Sequence, residues 1–85
     1  IHELSDTHEK ALVRQWVLDV TANDSLIIIH TTPGAAGMVA RILDQHRNHL
    51  SLLGSIAGDD TIFIAPKKTE EIALSIEKIN TLFAL

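Results

Sequence analysis

Gly54-Ser55-Ile56-Ala57-Gly58-Asp59-Asp60-Thr61-Ile62-Phe63-Ile64 is the stretch that decides how this chain folds. Leu52 to Ala57 and Thr61 to Ala65 are apolar segments of strand length, and Gly58-Asp59-Asp60 between them has the length and composition of a short hairpin loop. Pro66 stops the second segment, because it has no N–H with which to continue a ladder. The same loop carries chemistry. Its two carboxylates stand side by side, and from Asn48 to Pro66 the chain contains neither Lys nor Arg to neutralise them. Aspartate is common in turns because its side chain bonds nearby backbone N–H groups, so a solvated turn is the plain alternative to a cation-binding pair.

Upstream, Thr31-Thr32-Pro33-Gly34 punctuates the chain, with a threonine able to cap and a proline suited to the first turn of a helix. Ala35, Met38, Val39, Ile42, Leu43 and His46 then recur at helical spacing, and Gly37, Arg41, Asp44 and Asn48 form a polar stripe on the opposite edge. Before the punctuation, Leu26 to Ile29 is an unbroken aliphatic run, the pattern of a strand covered on both faces. Trp16, Leu18 and Val20 alternate with Val17, Asp19 and Thr21, which predicts a half-buried strand ended by turn chemistry at Asn23-Asp24. Glu3 to Val13 predicts a brief helix or tether with Ser5 or Asp6 as its cap. Downstream, Thr69 with Glu70 and Glu71 predicts an N-terminus, and Ile72, Ile76, Ile79 and Phe83 supply the buried stripe of a last helix.

The order β-β-α-β-β-α predicts an α+β, two-layer sandwich. The helix between the second and third strands is a crossover that sets those strands parallel, so a mixed four-stranded sheet is expected, with two helices on one face. Two helices leave the other face open, and an apolar sheet face in water marks an interface. Self-association is therefore expected from burial alone.

Composition narrows the functional classes. With 85 residues there is one small domain, and its 46% hydrophobic but only 4% aromatic content requires an aliphatic core. A net charge of −4 without a basic stripe argues against direct contact with nucleic acid. The absence of cysteine removes thiolate metal sites and cysteine nucleophiles, and fits a reducing cytoplasm. Neither a signal peptide nor an apolar run of spanning length is present, and the chain reads as a piece of a larger protein.

Taken together, Thr32-Pro33-Gly34-Ala35-Ala36, Ala40-Arg41, Leu43-Asp44 and Gly54-Ser55-Ile56-Ala57-Gly58-Asp59-Asp60-Thr61-Ile62 resemble the C-terminal domain of bacterial arginine repressors, from about Trp16 to the end of the chain. What the resemblance implies is an effector-binding and hexamerisation domain, residues 14–85, preceded at residues 1–13 by a linker or short helix from a missing N-terminal DNA-binding domain. L-Arginine would be the corepressor, held where two stacked trimers meet, and operator DNA would be contacted only by the separate winged helix. The resemblance places the ligand's guanidinium and α-amino groups at Asp59 and Asp60, since bidentate pairing with carboxylates is strong. It makes Asp44 a further acidic contact, Ser55 a hydroxyl where the family usually has threonine, and Ala57 a lining residue. Gly37 stands where the family often has glutamine, so one amide contact is missing, and an oligomerisation module that binds arginine weakly or not at all is the alternative. A cytoplasmic regulator of arginine metabolism follows, with no enzymatic activity, no metal, no cofactor besides the ligand and no membrane partner.

Other polar residues have plainer explanations. His30 beside Thr31 is the pattern of a base and a hydroxyl nucleophile, but no acid at a suitable spacing orients it, and a structural strand-end histidine is expected. His46 and His49 lack a third metal ligand nearby. Arg41, three residues before Asp44, is expected to form a local helix pair with it. A metal site at Asp59 and Asp60 would need Asp44 to converge on the loop.

Overall fold

A computed structural model describes residues 11–85. Strands β1 (Val17–Ala22), β2 (Ile27–Thr31), β3 (Leu52–Gly58) and β4 (Thr61–Pro66) form one sheet in the order β1-β2-β4-β3. Helix α1 (Ala36–Gln45) and a single extra turn, α2 (Arg47–Leu50), connect β2 to β3, and α3 (Ile72–Phe83) follows β4 through a 3-10 turn at Thr69–Glu71. The expected α+β order is present.

The expectation of a mixed sheet is corrected, because every neighbouring pair is antiparallel. Strands β2 and β3 do run the same way, as the crossover requires, yet they are not neighbours. The two-residue turn at Asp59-Asp60 pairs β4 with β3, and the free edge of β4 then takes β2, so the parallel pair is separated by a strand antiparallel to both.

Alternation along β2 and β4 divides the sheet into two faces. Ile27 and Ile29 with Ile62 and Ile64 point at the helices and are fully buried, each stabilising the fold by about 1.5–3 kcal/mol relative to exposure. Helix α1 lies over β3 and β4, α3 over β1, and Val39, Leu43, Ile79 and Phe83 complete the core between the layers. On the other face stand Asp19, Thr21, Ile28, His30, Ile56, Thr61 and Phe63, as the cross-strand pairs Thr21 with Ile28, Asp19 with His30, and Ile56 with Phe63 require. Ile56 is 80% exposed and Phe63 54%. No described helix is long and apolar enough to cross a membrane.

Several local expectations shift. Of the stretch Glu3 to Val13, residues 3–10 lie outside the described residues; residues 11–16 are helical, and Trp16, expected in the first strand, closes that helix. The alternation expected for Trp16, Leu18 and Val20 fails at Leu18, which is 64% exposed, because an irregularity between Val17 and Asp19 changes the parity of β1. Helix α1 starts at Ala36 instead of Pro33, since Thr32 to Gly34 make a turn in which Gly34 takes φ +82 and the Ala35 N–H donates to the Thr32 carbonyl at 3.1 Å. Its buried stripe is Ala36, Val39, Ala40 and Leu43, with Met38 half exposed and His46 beyond the helix end. Thr69 opens the 3-10 turn and makes no side-chain cap. Ser75, on the buried face of α3, donates its hydroxyl to the Leu50 carbonyl at 2.8 Å and so satisfies a group that the end of α2 leaves free.

Candidate functional site

The hairpin tip is fixed by its own backbone. The Asp59 carbonyl accepts the Ala36 N–H at 3.1 Å, one of the donors that the first turn of α1 leaves unpaired, and the Asp60 carbonyl accepts the Thr31 N–H at 2.8 Å. The two acids thus tie the tip to the end of β2 and to the start of α1, while both side chains remain exposed. Asp59 sits at φ +35, on the left-handed side where aspartate and asparagine are better tolerated than most residues. The Thr61 hydroxyl donates to Asp60 Oδ1 at 3.1 Å, which orients one carboxylate.

Asp44 is exposed in the last turn of α1 and accepts a hydrogen bond from the Ser55 hydroxyl at 3.2 Å. This contact and the Ala36–Asp59 bond pin both ends of α1 alongside β3, which is an edge strand. Gly37 lies near the tip, and Asp44 lies about 10 Å along the helix from it, at 1.5 Å per residue. On β3, Ser55 and Ala57 pair with the buried Ile64 and Ile62 and so face the helix layer. The six residues expected from the sequence therefore form an open ribbon, with Asp59 and Asp60 at one end, Gly37 and Ala57 beside them, and Asp44 with Ser55 at the other.

Electrostatics favour a cationic guest. The only ion pair among the described residues joins His30 and Asp19, so Asp44, Asp59 and Asp60 have no described Lys, Arg or His within ion-pair distance. The expected Arg41–Asp44 pair is corrected: Asp44 takes the Ser55 hydroxyl instead, which turns it toward β3 and away from its own helix face. A planar guanidinium or an ammonium group meets the requirement of such carboxylates, and charge-assisted hydrogen bonds to it are about twice as strong as neutral ones. At Gly37 a Cβ would meet nothing within 4 Å, so the ribbon is open at the position where an amide side chain would be accommodated. A metal fits less well. No group of three or more described His, Asp or Glu residues is placed to hold one, because Asp44 and the tip are held at opposite ends of the ribbon.

His30 is not as isolated as the sequence suggests. Asp19 Oδ1 lies 2.7 Å from its Nδ1 across the β1-β2 ladder, an acid eleven residues away that only strand pairing brings near. No nucleophile joins them, since Thr31 is buried on the opposite face and donates its hydroxyl to the Thr32 carbonyl at 2.8 Å. The backbone anchors at Thr31 and Ala36 also escaped sequence reasoning, because a hydrogen bond between main-chain groups leaves no residue signature, and so did the side-chain bond from Thr61 to Asp60.

Comparison with known proteins places the chain in a family. Arginine repressors of Shewanella sp. (strain ANA-3) and Shewanella putrefaciens (strain CN-32 / ATCC BAA-453) are each 46% identical over 71 residues, covering 84% of this chain and 46% of the relative. That of Shewanella loihica (strain ATCC BAA-1088 / PV-4) is 45% identical over the same length. The chain thus spans about half the length of these relatives. Their shared name is that of a repressor and not of an enzyme. Residues 13–81 match the family model described as "Arginine repressor, C-terminal domain", which includes every residue of the ribbon. On the strength of a match over most of its length, the chain belongs to the arginine repressor C-terminal domain family.

Proposed function

We propose that this domain is the arginine-sensing and assembly part of a transcriptional regulator of arginine metabolism. Asp59 and Asp60 bind the guanidinium and α-amino groups of L-arginine, with Asp44, Ser55, Ala57 and Gly37 along the same ribbon. The observation that carries the proposal is the set of three exposed carboxylates without a described counter-ion, arranged along one edge of the sheet. An open ribbon cannot exclude water from a ligand by itself. A neighbouring copy laid over it would, and this supports a site at the seam between two trimers.

The exposed apolar face of the sheet supports assembly independently of the ribbon. Ile28, Ile56 and Phe63 would lose water contact when another copy covers them, with burial of apolar surface providing about 25 cal/mol per Å². Arginine bound at a seam prefers the hexamer to its halves, so mass action shifts the population toward the hexamer. A hexamer presents several separate winged helices to DNA at once, and affinity rises by multivalency without any new base contact. Reciprocity then requires DNA to tighten arginine binding by the same factor.

Calorimetry with L-arginine, citrulline and magnesium tests the site. Citrulline keeps the shape of arginine and loses the guanidinium charge. Heat with arginine and none with citrulline or magnesium is the expected result; heat with magnesium alone would replace the ligand by a metal. Silence with all three would favour the second possibility, an assembly module with little or no arginine binding, for which the unfilled space at Gly37 is the specific motive.

A further inference from the structure

Among the described residues only Thr31 and Ser75 are buried polar side chains, and the Ser75 hydroxyl serves the end of α2. Thr31 lies where three parts of the fold meet. Its N–H donates to the Asp60 carbonyl at 2.8 Å, its hydroxyl donates to the Thr32 carbonyl at 2.8 Å, and the Thr32 N–H donates to the Trp16 carbonyl at 2.8 Å. We propose that Thr31 is a positioning residue that holds the acidic tip and the end of the helix at residues 11–16 as one unit, so that a ligand bound at Asp59 and Asp60 also tightens that helix end. The inference rests on the reading of the tip as an arginine site.

The side-chain bond explains how two neighbouring donors stay fixed relative to each other. It closes a small ring around the peptide unit between Thr31 and Thr32, the unit that carries the Thr32 N–H. The direction of that N–H toward Trp16 is therefore set from Thr31, whose own N–H holds Asp60. At 2% exposure the Thr31 hydroxyl has little water to turn to, so leaving this bond would cost a buried polar group its partner. The Thr32 carbonyl also accepts the Ala35 N–H at 3.1 Å, and the Ala36 N–H holds the Asp59 carbonyl at 3.1 Å. Residues 31–36 thus carry both donors that fasten the tip, gathered into one turn with Gly34 at φ +82.

On the other side, the Trp16 carbonyl is one of the acceptors that the last turn of a helix leaves free, and Val13 in the same helix is fully buried in the core. Any shift of this helix moves the acceptor of Thr32. Its place in the chain gives the contact meaning. Residues 13–81 match a C-terminal domain and the chain spans about half the length of the relatives, so in those proteins the remaining part joins on the side of this helix. Occupancy of the tip would reach that junction through two adjacent residues.

Amide hydrogen exchange, read residue by residue with and without L-arginine, is the test, at a chain concentration where sedimentation gives the same association state in both. At about 100 times the dissociation constant, openings that break the site are suppressed by up to about 100-fold. The Thr31 and Ala36 amides hold the tip directly and should slow. The Thr32 amide, bonded to Trp16, should slow by the same factor as Thr31, while the Leu85 amide, bonded to the Asn80 carbonyl at the end of α3, should not change. Thr31→Val keeps the shape and removes the hydroxyl: its Thr32 amide should exchange about two- to tenfold faster without ligand, the factor of one lost hydrogen bond, and with arginine should slow less than the amide of residue 31. Thr31→Ser should restore both. Slowing at Thr31 and Ala36 with an unchanged Thr32 in the parent chain, a measurement that needs no variant, overturns the proposal and leaves the arginine site standing. Equal slowing of the two amides in the valine variant also overturns it, because Thr31 would then be structural only. No slowing at any of the three, together with no calorimetric heat, discards the arginine reading and this inference with it.

Discussion

Replacing Asp59 by asparagine should weaken L-arginine binding by about ten- to 150-fold, which corresponds to the loss of one charge-assisted hydrogen bond of about 1.5–3 kcal/mol. The choice of asparagine follows from the backbone. Asp59 sits at φ +35 and holds the Ala36 N–H through its carbonyl, and asparagine retains both because it tolerates the left-handed region. Alanine at the same position would add backbone strain of about 1–2 kcal/mol, so weaker binding would then mix a lost charge with a disturbed tip. Calorimetry supplies the affinity, and thermal unfolding without ligand reports the fold. At a concentration of 100 times the dissociation constant, arginine should stabilise the parent domain by about 2.7 kcal/mol. For a domain of this size that is a rise in Tm of about 10–20 °C. Asp59→Asn should keep the ligand-free Tm and lose about half to about nine-tenths of that rise at the same arginine concentration. Unchanged affinity in the asparagine variant would refute the assignment of this carboxylate to the ligand.

Other substitutions probe the remaining features. Gly37→Gln meets open space at its Cβ and should tighten arginine binding by at least about tenfold if an added amide bonds the ligand; calorimetry showing no change would mean that another group already fills that role. Ser75→Ala leaves the Leu50 carbonyl buried without its 2.8 Å donor and should cost about 1–3 kcal/mol in chemical denaturation, with arginine affinity untouched. Ser51→Gly relieves a left-handed residue at φ +59 between α2 and β3, and should raise stability by about 1 kcal/mol in the same assay.

The parts of this fold that residue order revealed are those decided within a few neighbours. Two apolar runs separated by Gly58-Asp59-Asp60 leave little choice but a hairpin, and Ile72, Ile79 and Phe83 repeat at the spacing that one buried helical face needs. What escaped depends on distant partners. The place of β4 between β2 and β3 is a competition for sheet edges, the parity of β1 changes at an irregularity next to Leu18, and Asp19 meets His30 only across a ladder. The ribbon divides in the same way. Its acids stood out by type and by the lack of nearby cations, whereas the orientation of Asp44 toward Ser55 rather than Arg41 depends on how α1 lies on the sheet.

Because the Asp59 carbonyl is fastened to the first turn of α1 and the Asp60 carbonyl to the last residue of β2, the backbone of the acidic tip is held in place at two points. On the proposed reading it would serve as a fixed gauge instead of a closing hand. A shorter diamino acid would have to bridge the same gap with fewer methylenes and would leave one carboxylate facing water, so discrimination by length is expected without any moving part.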